Sequence, residues 1–330
     1  MYQFIIFAVL FVAALMGYGS EHGLPILLGV VTTGSFARDL YPGVKTHFNT
    51  KYKSFGEQYK MLFDTEKSSK AYELSVGFVG TGLAPRKVEG GAISYQDIEQ
   101  GWEAKVVHAV YSMGIIITRE ENDDNLSADL SKKKSGALAF SMNQTKEIIA
   151  ANVYNRAFSG SYLGADGVSL LSASHQFKPG GTFSNQLAVA ADLSETTLEQ
   201  ACIDIAAFKD EAGLQVKVLP RSLIIPVRLQ FEAHRILKSV NQNDTANNAV
   251  NALRDMGMFP DGIKVNNFLT DTNAWFIRTN CPDGMVHYQR DPMEIKVDND
   301  FDTDNAKYKA RERYSFAWLD PRGLYGSAGA

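Results

Sequence analysis

The amino-acid sequence predicts an α+β protein. Three observations carry that prediction: a run of helix formers about thirty residues long near the middle of the chain, segments with period-two alternation on both sides of it, and no regular βαβ alternation between them. With 45% apolar and 21% charged residues, the 330-residue chain has ordinary globular composition and enough apolar material for one large core or several smaller ones.

From the N-terminus, Phe4 to Met16 is unbroken apolar sequence, and Leu24 to Val31 is a second apolar stretch. Thirteen residues are too few for a bilayer-spanning helix of about 20. A secretory signal would carry a basic n-region, but no Lys or Arg precedes Arg38. Three readings fit this leader, residues 1–34: an added or misread start, an apolar or membrane-touching arm, or a true signal.

From Phe36 to about Thr65 the chain is polar and aromatic, with Tyr41-Pro42-Gly43 as a turn, and reads as an extended arm. Residues 66–120 then turn to strands. Tyr72 to Val76 alternates, Gly77, Gly80, Gly82 and Pro85 interrupt, and Tyr95 to Tyr111 and Ile115 to Ile117 resume. Two strand regions around a glycine-rich centre predict a long projecting hairpin, poor in core contacts.

Asn122 to Asn125 supply capping side chains for a helix over about 126–158. Leu130, Ala137, Leu138, Ser141, Ile148, Ile149 and Val153 suggest its buried face. Ser159-Gly160-Ser161 ends it, and a loop-rich stretch follows to Leu193. Asp192-Leu193-Ser194 caps a second helix, to about Glu211, with Leu198, Ala201, Cys202, Ile205 and Phe208 at helical spacing. Strands are expected at Leu214 to Leu219 and Ser222 to Ile225. A helix then opens at Pro226, and another covers Ala249 to Met256. Lys264 to Leu269 and Ala274 to Thr279 read as further strands, with a strand pair around the acidic run Asp298 to Asp304.

The chemistry-bearing motifs do not assemble into a catalytic, cofactor-binding or metal-binding set. Histidines 22, 47, 108, 175, 234 and 287 show no metal-ligand spacing. Ser172, Ser174 and His175 are sequence neighbours without a nucleophile elbow, and a surface loop is the simpler reading. Gly77 to Gly82 lacks the third glycine of a dinucleotide loop and the Lys-Ser/Thr of a phosphate loop. Asp298 to Asp302 imitates half a calcium loop, but Thr303 stands where glycine is needed and Lys309 where the bidentate glutamate belongs. Cys202 and Cys281 have no CxxC partner, so no disulfide framework is expected.

Formal net charge is −4, from 33 basic and 37 acidic residues, which argues against a dedicated nucleic-acid-binding protein. One segment is regular: in Ala306 to Trp318, Tyr308, Ala310, Tyr314, Phe316 and Trp318 share a strand face interrupted by Glu312, while Lys307, Lys309, Arg311 and Arg313 share the other. Because acidic residues directly precede it, the basic row is expected to pair with carboxylates rather than with phosphates.

Several segments together resemble the Mu-like major head subunit family of tailed-phage capsid proteins, which share the Hong Kong 97-type fold. They are Leu138-Ala139-Phe140-Ser141-Met142 with Gln144 to Glu147, Gly180 to Asn185, Ala191 to Ser194, Asn251 to Gly257, Phe259 to Gly262, Asp300 to Thr303, Ala310 to Phe316, and Asp320 to Gly323. The likeness runs from about Leu40 to Ala330 and leaves out the leader. It implies an N-terminal arm at 35–65 and an extended hairpin loop at 66–120. It further implies a peripheral domain at 121–191 containing the spine helix 126–158, an axial domain at 192–273, and a return to the peripheral domain at 274–330. By the same resemblance the function is that of a major capsid protein whose hexamers and pentamers close an icosahedral shell around DNA, in a virion assembled in the host bacterial cytoplasm. The partners implied are many copies of itself, portal, scaffold or maturation protease, and decoration proteins, with packaged DNA touched weakly. No catalytic residue and no cofactor is implied. Lys87 lies near the expected hairpin tip, within reach of a neighbour. The alternatives are an encapsulin-like compartment, or a secreted enzyme or binding protein if the leader is a signal.

Overall fold

In a computed structural model the described residues are 33–118, 120–121, 129–242, 249–300, 302–303 and 305–330. The leader apart from residues 33 and 34, the capping run Asn122 to Asn125 and His22 lie outside them.

The N-terminal segment corrects the expectation of an extended arm. Thr33–Ser54 is a helix, α1, and Tyr41-Pro42-Gly43 lies inside it rather than in a turn. Proline removes one main-chain donor there. What outweighs that loss is a stripe at helical spacing: Val44 and Phe48 are buried, and Tyr41, Tyr52 and Phe55 pack beside them. The stripe sits against the first half of the long helix. A short helix, α2 (Tyr59–Leu62), and strand β1 (Asp64–Lys67) follow.

Strands β2 (Tyr72–Val79) and β3 (Glu99–Val107) pair antiparallel as a two-stranded ribbon. The hairpin is therefore shorter than the predicted 66–120. Its next strand, β4 (Ala109–Ile117), leaves the ribbon and joins a four-stranded sheet in the order β1-β10-β11-β4. Here β10 is Met285–Asn299 and β11 is Ala306–Trp318, the expected pair around the acidic run. Pro292, which has no N–H to donate, lies within the second of two register shifts in β10, between Asp291 and Glu294.

The long helix, α3, spans Asp129–Asn155, about 40 Å at 1.5 Å per residue. Its buried face differs from the one expected. Leu138, Ala139, Met142, Asn143, Lys146, Glu147, Ala150, Ala151 and Tyr154 are buried, whereas Ile148 is exposed. Polar residues on the buried face hid it from a purely apolar template.

After α3, β5 (His175–Gln176) and β6 (Thr182–Phe183) form a short antiparallel pair. A second sheet, in the order β12-β9-β7-β8, holds β7 (Pro220–Pro226), β8 (Ile263–Asn266), β9 (Trp275–Thr279) and β12 (Leu324–Ser327). Helix α4 (Glu195–Ala206) packs on it through Leu198, Ala201, Cys202 and Ile205. Ser194 and Thr197 close a capping box at its start. The helix stops before the expected Glu211; Phe208 is still buried, but from the following loop. Leu214 to Leu219 is not a strand and contributes one isolated bridge, Lys209 with Gln215. Pro226 ends β7, and a 3-10 turn, Val227–Leu229, precedes α5 (Gln230–Lys238). The later helix, α6, is only Ala252–Asp255, capped by the Asn251 side chain.

Three buried apolar clusters result among the described residues. One joins α1, the front of α3 and the β10–β11 pair. One joins α2, the end of α3 and β9. The third lies between α4, α5, α6 and the second sheet.

Candidate assembly site

Among the described residues no constellation of catalytic type forms where the sequence placed candidates. His175 is fully buried, not in a surface loop: Nδ1 meets Asp166 Oδ2 at 2.5 Å, and Nε2 faces the Leu170 carbonyl and Asn185 Oδ1, each at 3.2 Å. Ser172 Oγ accepts from Ser174 N at 3.2 Å, and neither serine hydroxyl is hydrogen-bonded to the ring. Asn185 also donates to the carbonyls of Leu170, Pro321 and Leu324, tying the loop after α3 to the chain's end. Among the described residues no group of three His, Cys, Asp or Glu side chains could hold a metal. Both cysteines are free; burial pushes the Cys202 thiol up to about 12 and raises Cys281 as well.

Two members of the basic row on β11, Lys307 and Arg311, pair with carboxylates as expected, and Arg313 turns to main-chain carbonyls instead. Lys307 meets Asp300 at 2.5 Å, Arg311 meets Asp291 at 3.2 Å, and Arg313 donates to the carbonyls of His108 and Ala71. Burial alternates along the strand, so the opposite face packs inward. Glu312 does not interrupt that face. Lys146 on α3 donates to Glu312 Oε1 at 2.6 Å and to Gln289 Oε1 at 2.9 Å, over the rings of Tyr59 and Tyr314. Tyr52 from α1 donates to Glu312 Oε2 at 3.1 Å. Burial lowers the Lys146 pKa despite the attraction of Glu312. Beside this pair, the Glu147 carboxylate accepts from Gln58 N and Tyr59 N at 2.8 and 2.9 Å. The long helix thereby holds α1, α2, β10 and β11 through two adjacent charged residues. The sequence motifs Gln144 to Glu147 and Ala310 to Phe316 both pointed near this network, but no local pattern revealed that they meet.

Burial raises the Glu147 carboxyl to about 7, against the opposing pull of the two N–H donors. Its folded pKa exceeds its unfolded value, so its contribution to stability is complete below about pH 4.5 and is lost as pH rises towards 7. Glu57 and Lys146 are the charged neighbours acting on it. Glu147→Gln should therefore remove one component of falling stability across pH 4.5–7. Urea titrations of the isolated subunit at several pH values check this; identical pH profiles for variant and parent would refute it.

The base of the hairpin is anchored. His108, between β3 and β4, is buried, with Nδ1 at 2.9 Å from Ser315 Oγ and Nε2 at 3.1 Å from Ser68 Oγ. Further out, Trp102 Nε1 donates to the Gln176 carbonyl at 3.0 Å and Lys178 donates to the Gly101 carbonyl at 3.1 Å. Gly77 and Gly101 face each other at a register shift, where a Cβ on Gly101 would lie 2.9 Å from the Gly77 carbonyl carbon. The glycines thus serve close backbone approach as well as freedom. Beyond them residues 80–98 form no strand or helix, and Leu83, Val88, Ile93, Tyr95 and Ile98 are 61–90% exposed. A limb carrying five large apolar side chains into solvent is a surface for another molecule.

A family model described as phage capsid protein matches residues 103–327. This chain belongs to the phage capsid protein family. It is a structural, shell-forming protein of the virion. The fold agrees: the asymmetric unit of the bacteriophage PhiM1 mature capsid superposes with a TM-score of 0.54 at 10% identity, covering 83% of this chain and 87% of that one. Chains from Mycobacterium phage Adephagia (TM-score 0.50, 12% identity, 84% and 91% covered) and Microbacterium phage Oxtober96 (TM-score 0.50, 9% identity, 84% and 92% covered) are similar in the same way. No curated protein matches the chain. The capsid family member thus has a Hong Kong 97-type mixed fold, and its exposed hairpin and open sheet edges are candidate contacts between copies.

Proposed function

We propose that this capsid protein is a Mu-like major head subunit whose hexamers and pentamers close an icosahedral shell around phage DNA, without catalytic activity of its own. The observation that carries this reading is the exposed apolar limb at residues 80–98 on an otherwise anchored hairpin. Such a limb buries little of its apolar surface within its own subunit and adds contact area between copies, where weak contacts repeat across a closed assembly. In domain terms, 35–65 is the arm, 66–120 the hairpin region, 121–191 and 274–330 the peripheral domain, and 192–273 the axial domain. Portal, scaffold or maturation protease, and decoration proteins are the further partners proposed, with assembly in the host bacterial cytoplasm. The paired cations of β11 suit a wall that touches DNA weakly.

Purified protein should form rings or shells in negative-stain images across a range of salt. Deleting residues 83–95 should leave a cooperatively folded subunit and abolish the shells. A parent protein that stays monomeric under every condition, or a deletion that still closes shells, overturns the reading.

A further inference from the structure

The two edges of the first sheet are built differently. Strand β1 is four residues long, and its sequence, Asp64-Thr65-Glu66-Lys67, exposes charge along the edge. Short, charged strands are how sheets avoid pairing with another chain. Strand β4, at the other edge, is nine residues of Ala-Val-Tyr-Ser-Met-Gly-Ile-Ile-Ile with no charge and no proline. Among the described residues no strand pairs with its outer side, Lys134 Nζ reaches only the Ile116 carbonyl near its end at 3.5 Å, and Val110, Met113 and Ile116 are 48%, 48% and 52% exposed. An edge of this kind is a template for an added strand.

The same chain contains a matching segment. Between Glu89 and Asp97 the hairpin's distal arm includes Gly91-Ala92-Ile93-Ser94-Tyr95, also uncharged. Residues 92–95 make no main-chain hydrogen bond among the described residues, and Ile93 and Tyr95 are 61% and 90% exposed. Ile93 and Tyr95, two residues apart, would share one face of an extended strand. On the outer face of β4, Ser112 and Gly114 are small and lie between Val110 and Ile116, leaving room for two large side chains.

We propose that residues 91–95 of one copy add as a strand to the free edge of β4 in a neighbouring copy, so that the four-stranded sheet becomes five-stranded in the shell. This inference rests on the shell-building function and names the contact through which the hairpin serves it. The outer edge of β4 and residues 92–95 are both uncharged and both lack a strand partner among the described residues, and each satisfies the other across copies. Their neutrality also selects the partner, because a charged segment laid on β4 would find no counter-charge on that strand.

Strand pairing has a period of two, and the test uses it. Ser112→Cys is combined in turn with Ile93→Cys, Ser94→Cys and Tyr95→Cys, and assembled particles are oxidised with diamide and run on denaturing gels. The expected result is a ladder of cross-linked oligomers for the 93 and 95 pairs, with yield several-fold lower for the 94 pair. No ladder from particles that look normal in micrographs overturns the contact and leaves the shell function standing. Equal ladders from all three pairs indicate loose collision, and dimers from Ser112→Cys alone indicate β4 pairing with itself; either overturns the proposal. If the parent protein forms no particles, it is the shell function that fails.

Discussion

Glu312→Leu and Lys146→Met, each alone, should destabilise the subunit by roughly 3–5 kcal/mol, and the double variant should recover most of that loss. The two side chains are 2% and 3% exposed and meet at 2.6 Å. Removing either leaves a charge in a site that water does not reach, whereas removing both leaves two apolar chains of similar bulk. Lys146 is already held below its ordinary pKa by burial, so without Glu312 it would have still less reason to remain charged. The double variant retains a smaller deficit because Tyr52 and Gln289 also lose an acceptor. Urea unfolding of the unassembled subunit measures all three; a double variant as unstable as the sum of the singles would show that the pair is not coupled.

Tyr154→Ala should cost a comparable 3–5 kcal/mol. Tyr154 is buried where α3 crosses α2 and the second sheet, edge-on to Phe63 at 5.7 Å and to Phe276 at 5.4 Å. Its hydroxyl donates to the Leu62 carbonyl at 2.8 Å. Alanine opens a cavity among rings that cannot all collapse into it. Phenylalanine keeps the packing and removes only the donor to a buried carbonyl, about 1–3 kcal/mol. Thermal unfolding should therefore rank parent, Tyr154→Phe and Tyr154→Ala in that order of decreasing stability. Equal losses for the two variants would mean that the hydroxyl, not the ring, holds the junction.

Much of the fold was legible in the sequence where the signal was local. The α4 helix announced itself through Ser194 and the spacing of Leu198, Ala201, Cys202 and Ile205, because cap and stripe lie within a dozen residues. The β10–β11 pair was visible as alternation beside an acidic turn. The N-terminal helix was missed although Tyr41, Val44, Phe48, Tyr52 and Phe55 recur at helical spacing, because Pro42-Gly43 reads locally as a turn. That rule yields when a neighbouring helix supplies enough apolar surface. The assembly surface was half legible: glycine interruptions marked the hairpin, but nothing local separated its anchored part at Trp102 from its exposed part at 80–98.

By itself the sequence determined the mixed class, the order of its main elements, the central long helix, and the family resemblance carried by motifs from Leu138 to Gly323. Tertiary structure alone decided that Glu312 faces Lys146 across 166 residues, that β1 runs parallel to β10, and that β4 rather than another strand is left as an open edge. The physical reason is range. Caps and periodicity act over a few residues of chain, whereas a buried charge or an unpaired edge is defined by what lies beside it in space.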